Sequence, residues 1–277
     1  MIPSDMHDMQ VDKETILNIL YQSDVRLTPQ ALIREIKSRV LITSSAAKKI
    51  VRQLIDEQEL SYHYLYGSTY VEKSFLKPVR ITRHFVLTPP GFETQSTPTD
   101  IDITIEPGIS FGAGQHPTTQ LCLAAIEFCF FEQQLIHLKP GLVGADIGTG
   151  SGVLAMAMCL SGLAACNAYE IDPVSINEAK KNIALNHLTK QINVVEDTMK
   201  ECNSPVSIIC ANLRFPTLKT LSDMIWDSLT DHGIAILSGV REWETQALIA
   251  CYSAKGFELA WQKHDKQWSG FVWIKKR

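Results

Sequence analysis

The chain has 277 residues, 45% of them hydrophobic, and a formal net charge of −4. That length leaves room for two domains with substantial cores, and the mild negative charge gives no global pull toward nucleic acid or a membrane surface. No apolar run reaches the 18 residues of a membrane span, and the polar start, Met1 to Lys13, lacks a signal-peptide pattern. The seven cysteines form no C-x-x-C pair and sit mostly in apolar runs, while the eight histidines are scattered. Buried, reduced thiols in a cytoplasmic protein are expected, with no metal site and no membrane partner.

Residues 1–76 read as a separate domain. A first helix is expected over 13–22, with Ile16, Leu17, Ile19 and Leu20 inward. A second opens at Thr28-Pro29, an N-cap followed by proline at the first helical position. A third begins near Ser44-Ser45, where Ala47, Ile50, Val51, Leu54 and Ile55 keep i, i+3, i+4, i+7, i+8 spacing. Two strand-like runs follow, 60–65 and 69–71, joined through Tyr66-Gly67-Ser68. Three helices and a hairpin resemble a winged helix. Arg34, Lys37, Arg39, Lys48, Lys49 and Arg52 would suit a nucleic-acid partner read by helix three. Acids and bases nevertheless balance at ten each over residues 1–77, which favours a protein or intramolecular contact.

Residues 77–106 read as a connector, with strand-like alternation over 79–87 and 101–105 around a stretch rich in proline, glycine and threonine. From 107 to 277 strands and helices alternate. Strands are expected at 142–147, 165–170, 192–195, 206–211, 234–238, 257–263 and 268–275, with helices near 116–131, 152–161, 173–186, 216–229 and 241–254. Such alternation specifies a mostly parallel sheet covered on both faces. The last two strands are too close for a helical crossover and must form a hairpin, so the final strand runs antiparallel. The expected fold class is α/β, a Rossmann-like sheet with one reversed strand and a small N-terminal winged-helix-like domain.

The chemistry centres on Asp146-Ile147-Gly148-Thr149-Gly150-Ser151-Gly152, with Glu170 twenty-two residues after Gly148. A strand runs into a glycine turn, a small-residue helix leaves it, and a second strand ends in an acid. This unit brings backbone amides and a helix N-terminus to a ligand, while the acid accepts the hydroxyls of a ribose. The ligand is therefore expected to contain a nucleoside. Nicotinamide enzymes use G-x-G-x-x-G, and Val153 stands where that third glycine would be.

Two further segments narrow the reading: Phe111-Gly112-Ala113-Gly114-Gln115-His116-Pro117-Thr118-Thr119 upstream, and Cys210-Ala211-Asn212-Leu213 at the end of the fourth strand. With the glycine turn, Glu170-Ile171-Asp172-Pro173, Leu237-Ser238-Gly239 and Trp268, the stretch from about 79 to 277 resembles the PrmA family of ribosomal protein methyltransferases. The resemblance implies S-adenosyl-L-methionine as cofactor and the N-methylation of protein amino groups. By position, the family's cofactor contacts fall on Thr119, Gly148, Glu170 and Asn212. Gly150 and Asp146 complete the expected cofactor set, Asp146 by ordering the turn or meeting the cofactor's amino group. Asn212 is also expected to position the acceptor. The family usually has aspartate where Glu170 stands, a change of one methylene.

Some residues carry two readings. Asp172 before Pro173 suits an N-cap better than a ligand. His116 suits a helix start or core position better than a base, and Phe111 suits stacking near the acceptor and simple packing equally. PrmA proteins carry an N-terminal α/β substrate-recognition domain, unlike the winged-helix pattern here, so their substrate choice does not transfer. Arg214-Phe215 after Asn212-Leu213 also departs from the family's Asn-Ile-Leu. The aromatic three residues beyond the asparagine resembles N-P-P-Y/F enzymes that methylate planar amines. A nucleic-acid amine methyltransferase guided by the winged helix, and a non-catalytic regulator that binds the cofactor, are the alternatives.

Overall fold

A computed structural model gives the structure of the chain and describes residues 13–23, 25–65, 67–92, 97–106, 108, 110–112, 114–136, 141–199 and 205–276. The chain divides into two compact units, one up to Ser74 and one from Phe75.

The first unit comprises α1 (Lys13–Tyr21), α2 (Pro29–Val40), α3 (Ser44–Asp56) and an antiparallel hairpin of β1 (Leu60–Leu65) and β2 (Ser68–Lys73). Thr28 and Thr43 cap α2 and α3, their hydroxyls accepting from Ala31 N at 3.2 Å and Ala46 N at 3.1 Å. The helical stripe folds inward: Ile16, Leu32, Ile36, Ala47, Val51 and Leu54 pack with Leu60 and Val71 of the hairpin. Leu27 bridges to Val71, tying the segment before α2 to the hairpin.

The second unit opens with β3 (Val79–Arg80), β4 (Phe85–Thr88) and β5 (Ile101–Thr104), a three-stranded sheet in which β4 pairs antiparallel with β3 and parallel with β5. The strand expected over 79–87 is therefore two strands and a turn. Thr82 Oγ1 accepts from Phe85 N at 3.1 Å, and the buried Glu127 carboxylate accepts from His84 N at 2.7 Å. A carboxylate 45 residues from Thr82 thus satisfies the turn, which no local pattern announces. Phe85, Leu87 and Ile103 share one core with Leu123, Ile126 and Met156, so the segment read as a connector is built into this unit.

Then come α4 (Pro117–Glu127), a π-helical turn (Phe128–Glu132), β6 (Val143–Ile147), α5 (Val153–Leu160), β7 (Ala165–Tyr169), α6 (Pro173–Leu185), β8 (Ile192–Val195) and β9 (Val206–Asn212). They are followed by α7 (Phe215–Thr220), α8 (Ser222–Ser228), β10 (Leu229–Arg241), a 3₁₀ turn (Glu242–Glu244), α9 (Thr245–Ala254), β11 (Phe257–Asp265) and β12 (Trp268–Lys275). The single helix expected over 216–229 breaks at Leu221. Tyr252 Oη donates to the Leu218 carbonyl at 2.9 Å, the carbonyl that a continuous helix would offer to residue 222.

The seven strands order as β11-β12-β10-β9-β6-β7-β8. From β10 through β8 neighbours are parallel, and β12 lies antiparallel between β10 and β11, the expected reversed strand. Side chains alternate between two cores, Ile208, Cys210 and Ile236 entering one and Ile209, Ala211 and Leu237 the other. The chain leaves β6 toward β7 and β8 on one side, then returns through β9 on the other. The carboxyl ends of β6 and β9 therefore flank a topological switch point, where open α/β sheets place ligands. Among the described residues no helix is long and apolar enough to cross a membrane, and no cluster of His, Cys, Asp and Glu is placed to hold a metal.

Candidate active site

The glycine turn after β6 spends its amides on the protein itself. Gly148 N and Thr149 N both donate to the Tyr169 carbonyl at 2.9 and 3.0 Å, and Gly152 N donates to Thr149 O at 2.9 Å. Gly150 N donates to Glu170 Oε2 at 3.0 Å, and Ser151 N to the Phe111 carbonyl at 3.0 Å. The expectation that these amides would reach a ligand is corrected: residues 148–152 have no amide left to donate. The turn can meet a ligand through its Cα surface and its carbonyl oxygens. The glycines are required here. Gly150 has φ +55, and a Cβ on it would lie 2.3 Å from the Phe111 carbonyl oxygen. At Gly148, φ +69, the Cβ would lie 2.7 Å from Leu213 Cδ2.

Two carboxylates hold the turn. Glu170, just past β7, accepts from Gly150 N with Oε2 and from Ile171 N and Asp172 N with Oε1, at 2.8 and 3.1 Å. A carboxylate offers about four acceptor positions, so three are taken and one stays open on Oε2. Asp146, fully buried in β6, accepts from Thr149 Oγ1 at 2.5 Å and from Ala155 N, in the first turn of α5, at 3.2 Å. Burial pushes its pKa up to about 6, against those two hydrogen bonds, and the nearby Glu170 charge adds to the rise. Its Oδ1 has no hydrogen-bond partner among the described residues. Its contacts to Thr149 and Ala155 brace the turn.

On the other side of the switch point, Asn212 ends β9 with its Nδ2 3.4 Å from Oγ1 of Thr119, which is fully buried in α4. Asn212 Oδ1 is buried with no hydrogen-bond partner among the described residues. The fold thus joins residues 93 positions apart in sequence. His116 caps α4, its Nδ1 accepting from Thr118 N at 3.3 Å, and Asp172 caps α6 through Ser175 N at 2.9 Å. Both take the helix-start role. The His116 Nδ1 also lies 2.8 Å from Thr118 Oγ1. The loop before α4 lies on the glycine turn, since a Cβ on Gly112 would meet Ser151 Oγ at 2.8 Å.

Beyond Asn212 lies a group that sequence reading largely missed. Arg241 at the end of β10 pairs in register with Trp268 at the start of β12, its guanidinium 3.8 Å from the indole centroid. Arg214 also faces Trp268, at 5.4 Å. His116 meets Trp268 edge-on at 5.0 Å, and Phe111 meets His116 at 4.9 Å. Trp268, the Phe111–His116 segment and Arg214, as part of the departure after Asn212, carried a signal in the sequence; Arg241 and Trp243 carried none. The arginines belong to no motif and meet the tryptophan through strand pairing.

A family model described as ribosomal protein L11 methyltransferase (PrmA) matches residues 4–276. The chain belongs to this family. Its match runs past the 79–277 stretch that carries the motifs and takes in the first unit as well. Among curated relatives, the ribosomal protein L11 methyltransferase of Pediococcus pentosaceus is 33% identical, over 72% of this chain and 61% of that protein. That of Exiguobacterium sibiricum is 30% identical, over 90% of this chain and 75% of its own length. A solved structure, ribosomal protein L11 methylase from Lactobacillus delbrueckii subsp. bulgaricus, superposes with a TM-score of 0.64 at 26% identity, covering 73% of this chain and all of that one. The chain therefore spans about three fifths of the first of these relatives and more of the others.

Proposed function

We propose that the chain is a methyltransferase of S-adenosyl-L-methionine that N-methylates an amino group of a protein in the cytoplasm. Thr119, Gly148, Gly150, Glu170 and Asn212 would line the cofactor site, with Asp146 bracing it. The observation that carries the cofactor choice is the glycine turn with all five of its amides bonded internally. A dinucleotide needs such amides for its pyrophosphate, whereas S-adenosylmethionine has no phosphate. The residues fit this group: Glu170 keeps one acceptor position for a ribose hydroxyl, and Asn212 Oδ1 is a buried acceptor awaiting a donor. When bound, the cofactor supplies an electrophilic methyl group on a sulfonium centre.

The chain's own part is positioning. Asn212 Oδ1 accepts an N–H of the incoming amine and so directs its lone pair, with Thr119 fixing the other end of the amide. Holding the reacting atoms in line and excluding water supplies most of the acceleration. A lysine ammonium, with an ordinary pKa of about 10.4, loses its proton more readily when apolar surroundings penalise its charge. Relatives named for a ribosomal protein support a protein amine as acceptor, and ribosomal protein L11 is the first to test. Calorimetry with S-adenosylhomocysteine and with NADH tests the cofactor: heat with the first alone is expected, and heat with NADH alone would refute it. Radiolabelled methyl transfer into a cell extract tests the acceptor, with label expected in protein. Asn212→Ala should lower turnover and weaken cofactor binding. If both held their wild-type values, its double role would be wrong.

A further inference from the structure

We infer that Arg214, Arg241, Trp243 and Trp268 form a docking ledge for a carboxylate-bearing segment of the methyl-accepting protein, next to the amine. This deepens the reading above and rests on it for the identity of the amine. Four of the sheet's features converge there. Arg214 follows β9, Arg241 ends β10, Trp243 lies in the 3₁₀ turn after it, and Trp268 starts β12. Asn212, Arg214, Arg241 and Trp268 stand at the carboxyl ends of the parallel strands, on the β9–β10–β12 side of the switch point, with β6 and its glycine turn on the other.

The Arg241 guanidinium lies over two indoles, 3.8 Å from the Trp268 centroid and 5.5 Å from that of Trp243. Stacking fixes the plane of a guanidinium while leaving its N–H edge to a ligand. Its one side-chain hydrogen bond among the described residues is a long one, 3.4 Å from Nη1 to Gln267 Oε1. No carboxylate among the described residues forms an ion pair with Arg214 or Arg241, although other surface cations, such as Lys13 and Arg80, do pair. Trp243 is 72% exposed and Phe111, across His116 from Trp268, 51% exposed. The Glu244 carboxylate of the same turn accepts from the Arg241 backbone N at 2.8 Å and forms no ion pair with the guanidinium. Two guanidiniums without an ion-pair partner among the described residues, in a frame of exposed aromatics, suit a planar anion on an otherwise apolar chain. Aspartate or glutamate near the accepting lysine meets that description. A polynucleotide fits less well, because the chain's net charge of −4 opposes a long polyanion.

The test uses the full chain and two fluorescein-labelled peptides, each with one central lysine. One is flanked by glutamate and leucine, the other by glutamine and leucine. Anisotropy measures binding directly, and S-adenosylhomocysteine calorimetry runs beside it. The acidic peptide should bind more tightly than the neutral one. Arg214→Gln and Trp243→Ala should each weaken it about threefold to tenfold while leaving the neutral peptide and the S-adenosylhomocysteine affinity unchanged. Arg241→Lys keeps the charge but loses the stacked fork, and should weaken the acidic peptide too. Equal binding of the two peptides, or variants that weaken both alike, would overturn the ledge. So would a single-stranded oligonucleotide that displaces the acidic peptide at lower concentration than unlabelled peptide does. Absence of S-adenosylhomocysteine binding with the peptide preference intact would instead defeat the cofactor assignment and leave the ledge standing.

Discussion

On the glycine-turn side of Asn212, most polar groups answer one another: Glu170 takes three backbone amides, Asp146 takes a hydroxyl and an amide, and Phe111 O takes Ser151 N, with Asp146 Oδ1 and Ser151 Oγ the exceptions. On the proposed acceptor side, Arg214 and Arg241 lie over indole rings without an ion pair among the described residues, and Trp243 is largely exposed. The first side is built as a rigid mould and the second as a contact surface. A methyl donor is one molecule of fixed shape and rewards a preorganised cradle. An acceptor protein brings its own variable surface, and what it meets need not be part of the folding core. If this contrast is right, substitutions on the first side should damage stability or cofactor affinity, and substitutions on the second should touch neither.

The largest effect is expected at Gly150. Alanine there would have to adopt φ +55 with its Cβ 2.3 Å from a backbone carbonyl oxygen that already accepts from Ser151 N. The left-handed backbone and the overpacking together should cost about 3–5 kcal/mol of unfolding free energy. Chemical denaturation measures it, and a loss below about 1 kcal/mol would mean that the loop before α4 is free to move off the turn.

Asp146 offers a test by pH. Its folded pKa, about 6, stands above the ordinary carboxylate value of 3.8, so the folded chain binds this proton more tightly than the unfolded chain does. The stability that the proton contributes is full below the unfolded value and disappears as pH rises through about 6. Asp146→Asn lacks the titration. The unfolding free energy of wild type minus that of the variant should therefore fall by roughly 2–3 kcal/mol between about pH 4 and pH 7. A difference that stays flat would show that Asp146 is ionised in the fold at an ordinary pKa.

Glu170 links the mould to its ligand. Glu170→Ala removes the proposed ribose acceptor and frees the amides of Gly150, Ile171 and Asp172 together. S-adenosylhomocysteine affinity should fall about 30- to 100-fold, and Glu170→Gln should recover part of the loss by keeping a carbonyl oxygen. An undiminished affinity in the alanine variant would remove Glu170 from the cofactor site.

The same contrast explains what could be read from the chain before its fold was known. The glycine turn, Glu170 and the caps at Thr28, His116 and Asp172 are local devices whose residue types follow from their own backbone conformation. The sheet, with its reversed last strand, followed from short-range alternation and one loop length. Glu127 serving the turn at Thr82 and His84, and the Tyr252 hydroxyl that splits α7 from α8, act across long sequence separations and leave no periodic trace. Arg241 against Trp268 is of that kind, since neither residue is needed by its own strand and only the β10–β12 register joins them. The turn differs from its sequence pattern in one respect: the acceptors of its amides, Tyr169 O, Phe111 O and Glu170 Oε2, come from other segments.

The smallest expected effect is the most discriminating. Arg214 and Trp243 are exposed and take no part in either sheet core. Trp243→Ala and Arg214→Gln should each change unfolding free energy by less than about 0.5 kcal/mol, which denaturant midpoints at constant m-value would resolve. A tryptophan so exposed has little hydrophobic stabilisation to lose, because it still meets water after folding. A loss of 2 kcal/mol or more on removing Trp243, on the order of that for a buried side chain, would mean that its stacking on Arg241 belongs to the scaffold. The acceptor side would then be a second mould, and the division between cradle and contact surface would fail at the residue where it is drawn most sharply.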